Sequence, residues 1–226
     1  MKENHILIGL GGTGGKVLKA FRKRLYQEYN DDERAKLPIA FLYVDSSTEE
    51  MMPGDKTWYV LGKNAQFTAN EFVNVKGVDI KSILANPKNY PGLKGLIGDG
   101  EVMAKTIGEV GAAAAQKRRA GRILFGSSVE NYKNALLGAY NRVNKITHAE
   151  RTNIYIFTGL AGGTGSGSII DVISQTRMMP QFQDMLSMDG KTGTSIVVNA
   201  MVPEITPPGK SDAGKYHANG YAALHK

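Results

Sequence analysis

The sequence predicts an α/β fold, a doubly wound and mostly parallel sheet with helices on both faces. Three observations predict it. Four runs, Ile6-Leu7-Ile8, Ile39 to Val44, Ile154 to Phe157 and Ser195 to Val202, are apolar without polar alternation, as expected of strands buried on both faces. Two of these runs turn into helical sequence through glycine-rich corners. The chain has 226 residues, 42% of them hydrophobic, which suits one large domain with a substantial core.

Composition narrows the function classes. There are no cysteines, so disulfides, a thiol nucleophile and cysteine metal sites are excluded, in keeping with a reducing cytoplasm. The first residues carry one Lys and one Glu before Ile6, and glycines interrupt the apolar run, so a signal peptide is not expected. No apolar stretch has the length of a membrane span. The formal charge of +7 suggests an anionic partner. The basic residues are spread over amphipathic helices without interleaved aromatics, so nucleic acid is not predicted.

The first βα unit spans residues 5 to 25. Ile6-Leu7-Ile8 is the strand, Gly9-Leu10-Gly11-Gly12-Thr13-Gly14-Gly15 the loop, and Lys16 to about Tyr29 the helix. Val17, Leu18, Phe21 and Leu25 share one stripe, leaving Lys16, Lys19, Arg22 and Lys23 outside it. Glycine lets the main chain lie against a ligand, and the first amides of a helix lack intrahelical partners and favour an anion. Gly9, Gly11 and Gly14 also spell the dinucleotide fingerprint, which keeps NAD or FAD open. A P-loop is excluded, because Lys16 is followed by Val17 and the glycine spacing is wrong.

Asn30 to Lys36 reads as a polar linker, and Ile39 to Val44 as a second buried strand ending at Asp45-Ser46-Ser47. Asp45 suits the ribose of a dinucleotide or, more plainly, a turn. Thr57 to Leu61 reads as a strand and Val78 to Leu84 as a short helix closed by Asn86-Pro87, with turns at Pro91-Gly92 and Gly98-Asp99-Gly100. Trp58 is expected in packing, and residues 49 to 106 receive no chemistry. Ile107-Gly108-Glu109-Val110-Gly111, then four alanines from Ala112 to Ala115, form a small-residue loop leading into Gln116 to Ile123. Arg119 and Arg122 there are candidates to contact a phosphate or a neighbouring subunit, the alternative being an alanine-rich helix with a solvated basic face. Val129 to Ile146 reads as a helix with Leu136, Leu137, Tyr140 and Val143 on one face.

The stretch that organises the chain follows. Ile154-Tyr155-Ile156-Phe157 runs into Gly159-Leu160-Ala161-Gly162-Gly163-Thr164-Gly165-Ser166-Gly167, and Ser168 to Ile173 continues as a helix packed on the sheet. Five glycines in nine residues between buried elements cost too much backbone entropy for a merely flexible turn. Thr164 and Ser166 add hydroxyls that donate to phosphate oxygens. Residues 178 to 192 read as an exposed helix and turn, and Ser195 to Val202 as another buried strand. Pro203 to Gly209 is a proline-rich loop, and Tyr216 to Leu224 a short helix.

Ala161-Gly162-Gly163-Thr164-Gly165-Ser166-Gly167 resembles the glycine-rich signature of the tubulin/FtsZ superfamily, with Ala161 in place of its first glycine. The extra methyl is compatible with a negative φ. The resemblance extends in order along nearly the whole chain and implies roles for the other loops. Gly11, Gly12, Thr13 and Gly14 are similar to the first phosphate loop. Asp45 resembles the second, beside phosphates and metal. Gly111 and Ala112 resemble the third, which senses the γ-phosphate through backbone amides. Gly162, Gly163, Thr164, Gly165, Ser166 and Gly167 form the signature cradle. Glu204 lies in a segment similar to the fifth loop, near the ribose. Asn219 matches the asparagine that the superfamily sets on the guanine edge, where an amide offers both donor and acceptor.

The resemblance thus implies GTP or GDP with Mg²⁺, and self-association into filaments. The superfamily completes hydrolysis with an acidic residue from the next subunit, on a loop beyond the long central helix. After Met201 the side-chain carboxylates are Glu204 and Asp212, so no catalytic residue and no metal ligand set is assigned. Residues 1–226 are expected to form the nucleotide-binding domain of a longer protein, or a naturally reduced one, with GTPase activity only in the assembled full-length protein. An NAD- or FAD-dependent enzyme and a non-hydrolysing structural module remain the alternatives.

Overall fold

The computed structural model describes residues 3–76, 79–108, 114, 116–205 and 216–225. β1 (Asn4–Leu10) feeds α1 (Gly11–Glu28), and after the short α2 (Asp31–Ala35) the chain enters β2 (Ile39–Asp45). A small hairpin, β3 (Tyr59–Val60) and β4 (Lys63–Asn64), precedes β5 (Phe72–Asn74). Then come α3 (Ile80–Ala85), α4 (Lys94–Ile97), α5 (Gly100–Ile107), α6 (Arg118–Ser127) and α7 (Val129–Thr147). β6 (Arg151–Gly159), α8 (Thr164–Arg177), β7 (Gly193–Met201) and α9 (Tyr216–Leu224) follow.

The main sheet is parallel throughout, in the order β5-β2-β1-β6-β7. The chain therefore winds outward from β1 in one direction and, after returning through β6, in the other. The order reverses between β1 and β6, which pair directly, Leu10 opposite Thr158. A crevice at the carboxyl ends of the strands beside such a reversal is where open α/β sheets bind ligands.

Strand alternation sorts the core into two layers. Ile6, Ile8 and Leu10 of β1 point with Leu42 and Val44 to the face covered by α6, α7 and α8, among them Ile123, Phe125, Tyr132, Leu136 and Val172. Leu7, Phe41 and Tyr43 point the other way, against Leu18 of α1 and the buried aromatics Trp58 and Phe67. Trp58 is thus a packing residue, its indole N–H donating to the Glu50 carbonyl at 2.8 Å. A buried ion pair ties this second layer together. Arg22 of α1 meets Glu71 at 2.8 Å, with the guanidinium against Phe41, Phe67 and Tyr26.

Several boundaries differ from those the sequence suggests. The glycine corners are already helical: α1 begins at Gly11 and α8 at Thr164, each four or five residues earlier than apolar periodicity indicates. Glycine has no side chain to register on a hydrophobic stripe, so the pattern is silent over the first turn. Residues 31–35 form a helix because Asn30 and Glu33 complete a capping box. The expected strand at 57–61 shrinks to Tyr59–Val60, preceded by a 3₁₀ turn that the Asp55 side chain caps. The edge strand β5, unread in the sequence, is only three residues long. Residues 178 to 192 contain one 3₁₀ turn, Pro180–Phe182, in place of a helix. Phe21, expected inside, is 41% exposed.

The strand at 195–202 is also not buried. β7 pairs with β6 along one edge, while Val197 and Val198, which point to opposite faces, are 42% and 39% exposed. Its other edge carries a single bridge among the described residues, Met185 opposite Thr194, where the Thr194 amide donates to the Asp184 carbonyl at 2.9 Å. An apolar sequence tells of a strand that wants cover, not of what covers it.

Candidate functional site

The two glycine corners close on each other at the switch point. Gly11 follows β1 at φ +66°, a left-handed conformation that favours glycine, and a Cβ there would stand 3.0 Å from the Gly165 nitrogen. At Gly14 a Cβ would collide with the Phe157 carbonyl of β6. The first turns of α1 and α8 are therefore in van der Waals contact, both at the carboxyl edge of the sheet.

Neither helix supplies its own N-terminal acceptor. Leu10 and Gly163 occupy the N-cap positions without a side-chain hydrogen bond, and neither first turn contains an acidic residue. A helix ordinarily satisfies its first amides with a Ser, Thr, Asp or Asn cap. Two bare N-termini side by side, each with a partial positive charge, form an anion site without requiring a charged side chain. Gly12 and Thr13 are exposed at this surface, and Gly12 has open space where a Cβ would stand. Ser166 is 1% exposed, and its hydroxyl has no hydrogen-bond partner among the described residues. The same holds for Thr158 at the end of β6, close to Gly165. Main-chain amides and unsatisfied hydroxyls are donors of the kind that phosphate oxygens accept from.

Asp45 reaches the cradle from β2. It is 5% exposed, and its carboxylate accepts from the Tyr43 hydroxyl at 2.7 Å and from the amides of Ser46 and Ser47 at 2.7 and 3.3 Å. Burial pushes its pKa above the ordinary carboxylate range, opposed by these bonds and by the hydroxyl of Thr164. The Tyr43 ring in turn packs against Gly15. Asp45 is therefore directed toward the start of α8 and not outward toward a ribose. Mg²⁺ needs only one or two carboxylates when phosphate oxygens and waters complete its octahedron. Asp45 beside Thr164 fits that requirement, and the described residues contain no cluster of three metal-ligating His, Cys, Asp or Glu.

The turn before α6 packs on the signature. A Cβ at Gly163 would approach the Ala114 side chain at 2.9 Å and the amides of Gln116 and Lys117 at 3.0 Å. Gly111 and Ala112 lie outside the described residues. Arg118, not singled out by the sequence, points its guanidinium at the Ser166 carbonyl, 3.3 to 3.4 Å away. Of the two arginines the sequence did suggest, Arg119 is exposed, and Arg122 is bound bidentately by Asp171 at 2.6 and 2.9 Å. Arg122 thus joins α6 to α8, with its Nε and Nη2 held by Asp171 on the adjacent helix.

Asn219 and Glu204 stand on the rim. Asn219 is buried, and its amide nitrogen donates to the carbonyls of Gln116 and Ala161 at 2.6 and 2.9 Å, fastening α9 across the loops. Glu204 is exposed, with its carbonyl 2.7 Å from the His217 ring. Ala161 is absent from the residues with positive φ, so its methyl is accommodated as expected. Besides Arg118, the sequence leaves Ser46 unmarked: it is visible only as part of a strand-closing Asp-Ser-Ser, with nothing to separate it from turn chemistry.

Fold and site define a class, a doubly wound α/β domain with uncapped helix N-termini flanking its switch point. The chain belongs to the tubulin-like family, within the tubulin/FtsZ superfamily: the family model matches residues 6–226. Among solved structures it is similar to CetZ1 from Haloferax volcanii, a GDP-bound monomer, at TM-score 0.54 and 15% identity over 98% of this chain and 47% of that one. It is also similar to CetZ2 from the same organism, a GTPγS-bound protofilament, at TM-score 0.51 and 17% identity over 98% of this chain and 45% of that one. These likenesses establish the fold, and the chain spans under half the length of either structure. No curated protein sequence matches it.

Proposed function

We propose that this domain binds GTP and GDP, with the phosphates on the first turns of α1 and α8. The observation that carries the reading is the contact between Gly11 and Gly165, which brings two bare helix N-termini to one point beside the sheet reversal. Amides from Gly11 to Gly14 and from Gly162 to Gly167, with the hydroxyls of Thr164 and Ser166, would act as an electrostatic cradle that positions and neutralises charge. Mg²⁺, held by Asp45 and Thr164, would neutralise further phosphate charge. Gly111 and Ala112 would complete the phosphate end, with Glu204 near the ribose and Asn219 near the base. The nucleotides named for CetZ1 and CetZ2 support guanine, and the protofilament state of CetZ2 supports self-association of this protein into filaments.

A dinucleotide function draws on the first corner alone and needs an acid turned toward a ribose. Asp45 is instead surrounded by Tyr43, Ser46, Ser47 and Thr164. The two glycine corners, Gly11 to Gly14 and Gly162 to Gly167, carry no side chain suited to orienting an attacking water. We read the chain as the nucleotide-binding domain of a cytoplasmic, cytoskeletal tubulin-like protein in which a neighbouring subunit completes hydrolysis in trans. Extraction of bound nucleotide from the purified protein, followed by chromatography, tests the reading. Release of GDP or GTP is expected. Release of NAD or FAD overturns it, and no thermal stabilisation by any nucleotide leaves the domain a structural module. The 226-residue chain is expected to bind without appreciable turnover, and GTP hydrolysis at the rate of an intact FtsZ-like enzyme would refute that part.

A further inference from the structure

We propose that Ser46 is a positioning residue that sets the hydrogen-bond polarity of Thr164 and, through it, holds the Thr164–Asp45 pair in place at the phosphate end of the site. The inference rests on the guanine-nucleotide reading. Ser46 is 2% exposed and stands where three separate segments meet. Its hydroxyl oxygen lies 3.1 Å from the Ala114 amide, on the turn before α6, and 2.8 Å from the Thr164 hydroxyl, at the first residue of α8. Its own amide donates to Asp45. These contacts span 68 and 118 residues of sequence.

The direction of the chain follows from donor chemistry. A backbone amide can only donate, so Ser46 accepts from Ala114. One hydrogen remains on the Ser46 hydroxyl, and the Thr164 oxygen is the acceptor the structure gives it among the described residues. With Ser46 as donor, the hydrogen of Thr164 is left to point onward to the Asp45 carboxylate. Reversing the pair would leave the buried Ser46 hydrogen without an acceptor, an arrangement that folded proteins avoid. The relay therefore runs from the Ala114 amide through Ser46 to Thr164, and each bond polarises the next. It also fixes the spacing of the three loops.

The test is equilibrium binding of GMP, GDP and GTP, with Mg²⁺, to the wild type, Ser46→Ala and Ser46→Thr, each first confirmed as folded by its melting transition. Ser46→Ala is expected to weaken GTP and GDP by roughly tenfold, the scale of one hydrogen bond to a charged group. GMP should change by less than about twofold on the same scale, and Ser46→Thr, which keeps the hydroxyl, should restore most of the GTP affinity. A purely structural role would weaken all three nucleotides alike and would not distinguish by phosphate number. Wild-type GTP affinity in Ser46→Ala, or equal losses for GMP and GTP, overturns the proposal while leaving the nucleotide reading intact. A wild type that takes up no guanine nucleotide overturns both.

Discussion

Asp45 illustrates how a single residue trades stability against function. Because burial raises its pKa, the folded state holds the Asp45 proton more tightly than the unfolded chain does. Its contribution to stability is therefore present when the carboxyl is protonated and is lost as pH rises from the ordinary carboxylate value of about 3.9 through the higher folded one. At neutral pH the buried charge costs stability. Asp45→Asn should raise the melting temperature of the nucleotide-free domain and weaken Mg²⁺-dependent nucleotide binding, a pair of shifts that thermal melts and titrations read separately. The glycines divide in a similar way. Gly12→Ala adds a methyl where nothing stands within 4 Å, so stability should stay within about 0.5 kcal/mol while nucleotide affinity falls about tenfold or more. Gly14→Ala forces a methyl onto the Phe157 carbonyl and should cost about 1–3 kcal/mol or more in denaturant unfolding. Sequence alone marks both glycines as loop residues. Which one faces a ligand and which one faces the neighbouring strand is decided by the pairing of β1 with β6, a contact between residues some 150 positions apart that no local pattern encodes.

At the level of elements, β1, β2 and β6 were legible because parallel strands buried on both faces are unbroken apolar runs, and the long α7 because its stripe persists over five turns. The helix starts were not, since Gly11 to Gly15 and Gly163 to Gly167 carry almost no side chains from which to read a period. Nor did anything in the sequence pair Arg22 of α1 with Glu71, yet this ion pair anchors α1 to the segment before β5. Burial alone would raise the Glu71 pKa, but the Arg22 guanidinium and the hydrogen bonds from Thr68 hold it below its usual range. The stability it contributes is thus present above the unfolded carboxylate value of about 4.3 and is lost as pH falls through the lower folded one. Glu71→Ala leaves the guanidinium buried without its anion, and a loss of about 3–5 kcal/mol is expected in chemical denaturation at neutral pH. In Glu71→Gln the acid-dependent part of the unfolding curve should flatten, and an unchanged pH profile would count against this role. Asn219 gives the corresponding experiment for α9: Asn219→Ala removes both bonds to the Gln116 and Ala161 carbonyls, and amide exchange across residues 216–224 should quicken.

For the whole molecule, the order β5-β2-β1-β6-β7 puts the ligand crevice at one place and leaves β7 as a boundary. Among the described residues no strand pairs with its outer side from Ser195 to Met201, and valines flank it on both faces. Proteins ordinarily shield such edges with charge, proline or another segment. The domain studied alone should consequently adhere to itself through strand addition, at high concentration and regardless of which nucleotide is present. Any pelleting seen with it then has two separable origins, one answering to GTP and one not. A lysine in place of Val198 should abolish the second while leaving guanine-nucleotide affinity as it was, and ultracentrifugation of the two proteins side by side distinguishes an ordered polymer from mere stickiness.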